Sequence, residues 1–206
     1  MPAPETTFRH VNDSRPALGH VNLMVDTFIA NASPEDLRSI CRNLLATGPP
    51  GIAPAFTSAA RSRLRQTNKP LPSPYGLFRR QTRDVPAAPL PHLHDLLTRA
   101  RSLYGAGLGF LSLTVLASIV RATVGLRWED DGDMADILAV IDADISQAIQ
   151  SSKEEIEGSR VIDLISAREA RDELRRAVCD SMNDVNSWGG EFPFERASTS
   201  MEYWKF

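Results

Sequence analysis

The chain has 206 residues, of which 42% are hydrophobic and 24% are charged, a balance typical of a soluble protein. This composition argues against wholesale disorder and against a protein that crosses a membrane many times. The length is sufficient for one hydrophobic core, so we expect a single domain with loose ends.

Charge is divided unevenly along the chain. Residues 1–127 contain 15 Arg or Lys against 7 Asp or Glu, a net charge of +8, whereas residues 128–206 contain 8 against 19, a net charge of −11. The simpler interpretation is that basic helices pack beside acidic ones, in ion pairs that are mostly exposed and individually weak. The alternative is a basic surface that stays free for an anionic partner.

The cysteines and the N-terminal residues bear on the compartment. Cys41 and Cys179 are far apart in the sequence and form no CxxC pair, zinc motif or disulfide framework, which favours a reducing compartment. Residues 1–18 lack the apolar core of a signal peptide, and we expect them to form a flexible tail. The sequence therefore predicts an intracellular protein of the cytoplasm or nucleus.

Residues 19–68 are predicted to form an N-terminal group of three helices. The clearest begins after Ser33, a favourable N-cap, with Pro34 at its first position, and ends at Gly48. The helices before and after it also carry apolar residues along one side.

Three arginines, Arg61, Arg63 and Arg65, belong to the third of these helices. Alternate residues lie about 200° apart around a helix axis, so the three form a basic collar rather than one face. Because no aromatic residues are interleaved with them and no recognition motif is present, we do not expect nucleic-acid binding.

Residues 69–91 contain six prolines and leave no room for a helix of useful length. We interpret them as a linker, either a strap between two helical groups or a segment presented to a partner. Tyr75, Leu77 and Phe78 are large apolar groups that a fully solvated linker does not need. We therefore expect these three side chains to dock on the rest of the protein.

Two residues of the linker are candidate phosphorylation sites. Thr82 follows a pair of arginines at the spacing that a basophilic kinase recognises, and Ser73 precedes a proline. Motifs this short are frequent, so an unmodified linker is the simpler interpretation.

Residues 102–120 are uncharged and nearly long enough to cross a bilayer. The arginines that bound this segment and the three glycines of its GAGLGF stretch favour a buried central helix instead. The glycines either allow another helix to approach closely or break the helix in two. Their spacing is not that of a phosphate-binding loop.

Residues 127–144 carry seven carboxylates. The first of them precede an apolar helical pattern, and the N-cap and first turn of a helix favour carboxylates without any ion. The spacing of a calcium loop is absent. Asp133 and Asp136 lie one helical turn apart and are the candidate metal ligands, but no second acidic cluster accompanies them. Asp144 interrupts the apolar side of this helix, and its expected partner is Arg99 or Arg101.

Residues 92–190 are predicted to contain the central and C-terminal helices, which pack with the first group as one domain. Residues 191–206 form a tail that contains five aromatic residues, too many to leave in water. Either the tail folds back onto the helices or it anchors a partner. The candidate partner-binding residues are Phe192, Phe194, Tyr203, Trp204 and Phe206.

We expect an all-α protein, a single bundle of six or seven helices with a proline-rich central linker and an aromatic C-terminal tail. No catalytic or dinucleotide motif and no internal repeat is present, and no cofactor is expected. The favoured function is a helical adaptor or scaffold that binds another protein or associates with itself. One alternative is a divalent-metal-dependent enzyme or small-ligand-binding bundle that uses residues 129–136. The other is a membrane-attached protein that inserts residues 102–120.

Overall fold

The computed structural model describes residues 23–67, 76–83 and 85–206. Within these ranges the chain forms eight helices and one two-stranded sheet, which confirms the all-α prediction. The elements are α1 (Leu23–Asn31), α2 (Pro34–Thr47), α3 (Ile52–Gln66), β1 (Phe78–Arg79), β2 (Ala88–Pro89), α4 (Pro91–Gly105), α5 (Gly109–Thr123), α6 (Asp133–Glu157), α7 (Leu164–Trp188) and α8 (Glu195–Glu202).

The chain divides into two compact units, of which the first ends at Ile52 and the second runs from Ala53 to Phe206. In the first unit, α2 has the predicted ends. The Ser33 hydroxyl accepts a hydrogen bond from the backbone N–H of Asp36 at 3.1 Å, and Pro34 is the first helical residue. At the other end, the N–H of Gly48 donates to the carbonyl of Leu44 at 2.9 Å. Local capping chemistry therefore sets both ends of this helix.

Helix α5 lies at the centre of the second unit, in contact with α4, α6 and α7. Its buried side chains cover most of its circumference, as expected for a helix with neighbours on several sides, and only the side that carries Leu111, Thr114 and Ser118 is partly exposed. The buried side chains include Phe110, Leu113, Leu116, Ile119 and Val120. Each large aliphatic side chain buried in this way contributes about 1.5–3 kcal/mol.

The uncharged segment 102–120 is not one helix, because a turn separates α4 from α5. Gly107 lies in this turn with a φ of 77°, a conformation that favours glycine. A Cβ atom at Gly109 would lie 2.3 Å from the backbone nitrogen of Ser152, so the missing side chain allows α5 to approach α6. The glycines thus both break the helix and permit close packing. None of the helices in the described ranges is long and apolar enough to span a membrane.

The described part of the proline-rich segment contains an antiparallel strand pair. Strand β1 pairs with β2 in the register Phe78 with Pro89 and Arg79 with Ala88. Leu77 and Phe78 are buried, which confirms that they dock on the protein, whereas Tyr75 lies outside the described residues. This segment therefore contributes to the core of the second unit.

Ion pairs join the basic and acidic parts of the chain. Each joins an arginine from residues 1–127 to a carboxylate from residues 128–206: Arg101 with Asp144, Arg121 with Glu173, and Arg127 with Asp184. This pairing supports the simpler interpretation of the charge asymmetry, in which basic helices pack beside acidic ones.

Candidate protein-binding site

The first unit leaves six large apolar side chains exposed. No residue from Met24 to Ile52 is buried, although both helices carry large apolar groups. We call the six exposed apolar residues of these helices the α1–α2 face. They are Met24 (75% exposed), Val25 (48%), Phe28 (49%), Ile29 (51%), Ile40 (46%) and Leu44 (51%).

The spacing of these residues places them next to one another along one side of α1 and along one side of α2. Met24 and Phe28 lie four residues apart on α1, as Ile40 and Leu44 do on α2, and residues at this spacing are neighbours on a helix surface. Helices of 9 and 14 residues are marginal in water by themselves, since most helix stability comes from packing of the apolar side. Within the described residues, the six side chains of the α1–α2 face keep about half or more of their surface exposed.

The aromatic tail folds back onto the second unit. Phe194 is fully buried and Trp204 is 5% exposed. The Trp204 ring stacks against Phe110 with 5.9 Å between ring centroids, and Phe206 stacks against Trp204 at 6.0 Å. Among the five candidate partner-binding residues, Tyr203 alone is largely exposed, at 75%. The folded-back interpretation accounts for the tail, and a partner-binding role for these residues stays a prediction.

A buried carboxylate of α6 holds the start of α8. Asp142 accepts hydrogen bonds from the backbone N–H groups of Ala197 at 2.9 Å and Arg196 at 3.3 Å. Burial raises the pKa of Asp142, and these two N–H groups oppose the rise. The sequence did not predict α8 or this contact, because Asp142 lies more than fifty residues before the N–H groups that it accepts from.

A cleft of about 280 Å³ lies beside this contact, between α6 and the start of the tail. Its walls include the aromatic rings of Trp128 and Phe192 and one cation, Arg196. They also carry four carboxylates, those of Asp130, Asp142, Glu191 and Glu195. This lining favours cations over anions.

The candidate metal ligands lie at the start of α6. Asp133 and Asp136 occupy the first turn, and both are exposed. In the part of the chain that the structure describes, no three His, Cys, Asp or Glu side chains come together to hold a metal ion. The position of both carboxylates at a helix N-terminus is favourable without an ion. A metal site at Asp133 and Asp136 stays a prediction.

Asp144 has the arginine partner that the sequence predicted. Arg101 donates from Nε and a terminal nitrogen, the latter at 2.8 Å, and the Tyr104 hydroxyl donates to the same carboxylate at 2.8 Å. Burial, followed by the hydrogen bond to Asp144, raises the pKa of Tyr104 to about 12. The three side chains fix α4 against α6.

The two candidate phosphorylation sites differ in what the structure describes. Thr82 is exposed, and its N–H donates to the carbonyl of Val85 at 2.8 Å. Ser73 lies outside the described residues. Thr82 is accessible on the surface, and its phosphorylation stays a prediction.

No family model matches the chain, and comparison with curated proteins and with solved structures finds no similar protein.

Proposed function

We propose that this chain is a helical adaptor or scaffold that binds another protein through the α1–α2 face. The supporting observation is that two consecutive helices present six large apolar side chains while no residue from Met24 to Ile52 is buried. Large exposed apolar patches on folded proteins mark protein–protein or other interaction sites. An amphipathic helix that binds in an apolar groove uses anchors at this four-residue spacing.

Burial of the α1–α2 face would contribute to the free energy of binding, but this contribution alone would not hold a partner. Full burial of a large apolar side chain contributes about 1.5–3 kcal/mol, so a half-exposed one has roughly 1 kcal/mol left to gain. The six residues together offer several kcal/mol, whereas association costs about 4–15 kcal/mol of lost freedom. The partner therefore supplies further contacts around the face.

The two alternative functions have weaker support. Residues 102–120 are divided by the turn between α4 and α5, which weakens the case for membrane attachment through this segment. The acidic residues 129–136 have no third ligand among the described residues, so a metal-dependent activity lacks a supporting geometry. Neither alternative explains the exposure of α1 and α2.

The test compares two polar variants of the purified chain. Phe28→Ser with Leu44→Ser removes two anchors of the α1–α2 face, and Val140→Ser changes an apolar residue of α6 that is 41% exposed. A protein captured by the wild-type chain from a lysate of its source cells is identified, purified and titrated against all three by calorimetry. We expect Val140→Ser to bind like the wild type and the double variant to bind at least about tenfold more weakly.

Two results would overturn the proposal. One is equal affinity of the double variant and the wild type for the purified partner. The other is that no protein is retained by the wild-type chain above the amount retained by the double variant. Light scattering after gel filtration also reports whether the bound protein is a second copy of the chain.

A further inference from the structure

A second cleft of the second unit has mainly apolar walls. It lies among the end of α3, the start of α5 and the connection between α6 and α7, and its volume is about 290 Å³. This volume is at the lower end of the range for small-molecule sites. The apolar wall residues are Leu108, Phe110, Leu111, Val161, Ile162, Ala167 and Ala170.

One buried carboxylate, that of Glu155, lines this cleft. The residue is 6% exposed, and its Oε2 atom accepts a long hydrogen bond of 3.4 Å from the N–H of Phe110 at the start of α5. Burial raises the pKa of Glu155, and the Phe110 N–H, Arg65, the Gly109 N–H and Arg160 oppose the rise in that order. An ionised carboxylate has about four acceptor positions, so Glu155 keeps acceptor capacity for a ligand.

The second carboxylate of the lining is already engaged. Asp163 caps α7 by accepting from the N–H groups of Ile165 at 2.9 Å and Ser166 at 3.3 Å, and from the Ser166 hydroxyl at 2.6 Å. Arg65 is the one cation among the lining residues, against these two carboxylates. Arg160 also acts on Glu155 from outside the lining, so charge alone does not select the ligand. Glu155 is the carboxylate of the lining that keeps acceptor positions for a donor.

We propose that this cleft binds a small aliphatic amine, whose ammonium group donates to the Glu155 carboxylate and whose alkyl chain lies against the apolar walls. An ammonium group satisfies the carboxylate with a charge-assisted hydrogen bond, which is stronger than a bond between neutral groups. The alkyl chain covers apolar surface that is otherwise open to water. The site does not depend on the adaptor function, because it belongs to the second unit.

The test titrates the full chain with n-hexylamine, n-hexanol and n-hexanoate by calorimetry. We expect n-hexylamine to bind more tightly than the alcohol or the carboxylate. Glu155→Gln keeps the shape of the side chain and removes its charge, and it should weaken n-hexylamine binding by about tenfold or more. Glu154→Gln changes the exposed neighbouring carboxylate and should leave the affinity unchanged.

A second variant keeps the test valid if Glu155→Gln does not fold. Ile162 is a wall residue that is 84% exposed, so Ile162→Ala preserves the core and should weaken n-hexylamine binding by about threefold or more. Absence of n-hexylamine binding to the wild type would overturn the proposal. So would tighter binding of n-hexanoate, which would assign the site to Arg65, or equal binding of n-hexylamine by the wild type and a folded Glu155→Gln variant.

Discussion

Replacing Trp204 by alanine tests whether the C-terminal tail belongs to the core of the second unit. The Trp204 side chain is 5% exposed and stacks against Phe110 and Phe206. Truncation of a buried tryptophan to alanine costs about 3–5 kcal/mol, which includes the cavity that remains. In a chain of this size about 1 kcal/mol corresponds to about 2–4 °C, so we expect the melting temperature to fall by about 6–20 °C.

The adjacent aromatic residue supplies a matched control. Tyr203 is 75% exposed, so Tyr203→Ala should change the free energy of unfolding by no more than about 0.5 kcal/mol. Thermal unfolding of both variants and of the wild type is followed by far-ultraviolet circular dichroism. This signal reports helix content, so it does not depend on the tryptophan that Trp204→Ala removes. Deletion of residues 199–206 should lower the melting temperature at least as much as Trp204→Ala.

Two outcomes would refute this reasoning. If Trp204→Ala has the same melting temperature as the wild type, the Trp204 ring does not stabilise the core. If Tyr203→Ala is as damaging as Trp204→Ala, the effect belongs to the tail backbone rather than to burial of one ring.

Three further predictions concern single contacts, each measured by urea denaturation. Gly109→Ala should lower the free energy of unfolding by about 1–3 kcal/mol, because its methyl group would overlap the α6 backbone. A methyl group at Gly105 meets open space, so Gly105→Ala should not lower this free energy. Equal stability of the two variants would contradict the close approach of α5 to α6. Asp144→Asn should lower the free energy of unfolding by about 1–3 kcal/mol, because it removes the charge that pairs with Arg101. Asp180 is exposed, so Asp180→Asn should be as stable as the wild type. An Asp144→Asn variant with unchanged stability would count against the ion pair. The pKa of Tyr104 is raised from 10.0 to about 12, so the folded state holds this proton more tightly than the unfolded state. This contribution to the free energy of unfolding is complete below pH 10 and is lost as the pH rises from 10 to about 12. Tyr104→Phe should therefore lose less stability than the wild type across this pH range. Parallel plots of stability against pH for the two proteins would contradict this prediction.

Features set by neighbouring residues could be predicted from the sequence. The ends of α2 followed from Ser33, Pro34 and Gly48, because caps act within one turn. The sequence predicted Arg99 or Arg101 as the partner of Asp144, from helical spacing and from the opposite net charges of residues 1–127 and 128–206. Both inferences use interactions whose partners the local pattern limits to a few positions.

Features set by distant contacts could not be predicted. Helix α8 depends on the carboxylate of Asp142, which no local pattern connects with it. Strands β1 and β2 have two residues each, too few to show an alternating pattern. Clefts assembled from separate helices are equally invisible, so Glu155 received no role from the sequence.

The candidate site shows a different limit. Leu37, Ile40, Cys41, Leu44 and Leu45 follow the spacing of one side of α2, and such a stripe normally indicates a buried side. In the structure, Ile40 and Leu44 remain about half exposed. An amphipathic pattern specifies that a helix needs an apolar neighbour, but it does not specify whether the same chain supplies that neighbour.

The ion pairs between the two oppositely charged parts of the chain have a consequence for a cleaved protein. A single backbone cut in the exposed loop before α6 would separate α4 and α5 from α6, α7 and α8, yet α5 packs against α6 and α7. The two fragments would then behave as a heterodimer whose interface is the former core. Their opposite net charges would steer them together, and added salt would slow the encounter. The loop between Trp128 and Asp133 is therefore a natural position at which to split this protein into a pair of complementing fragments.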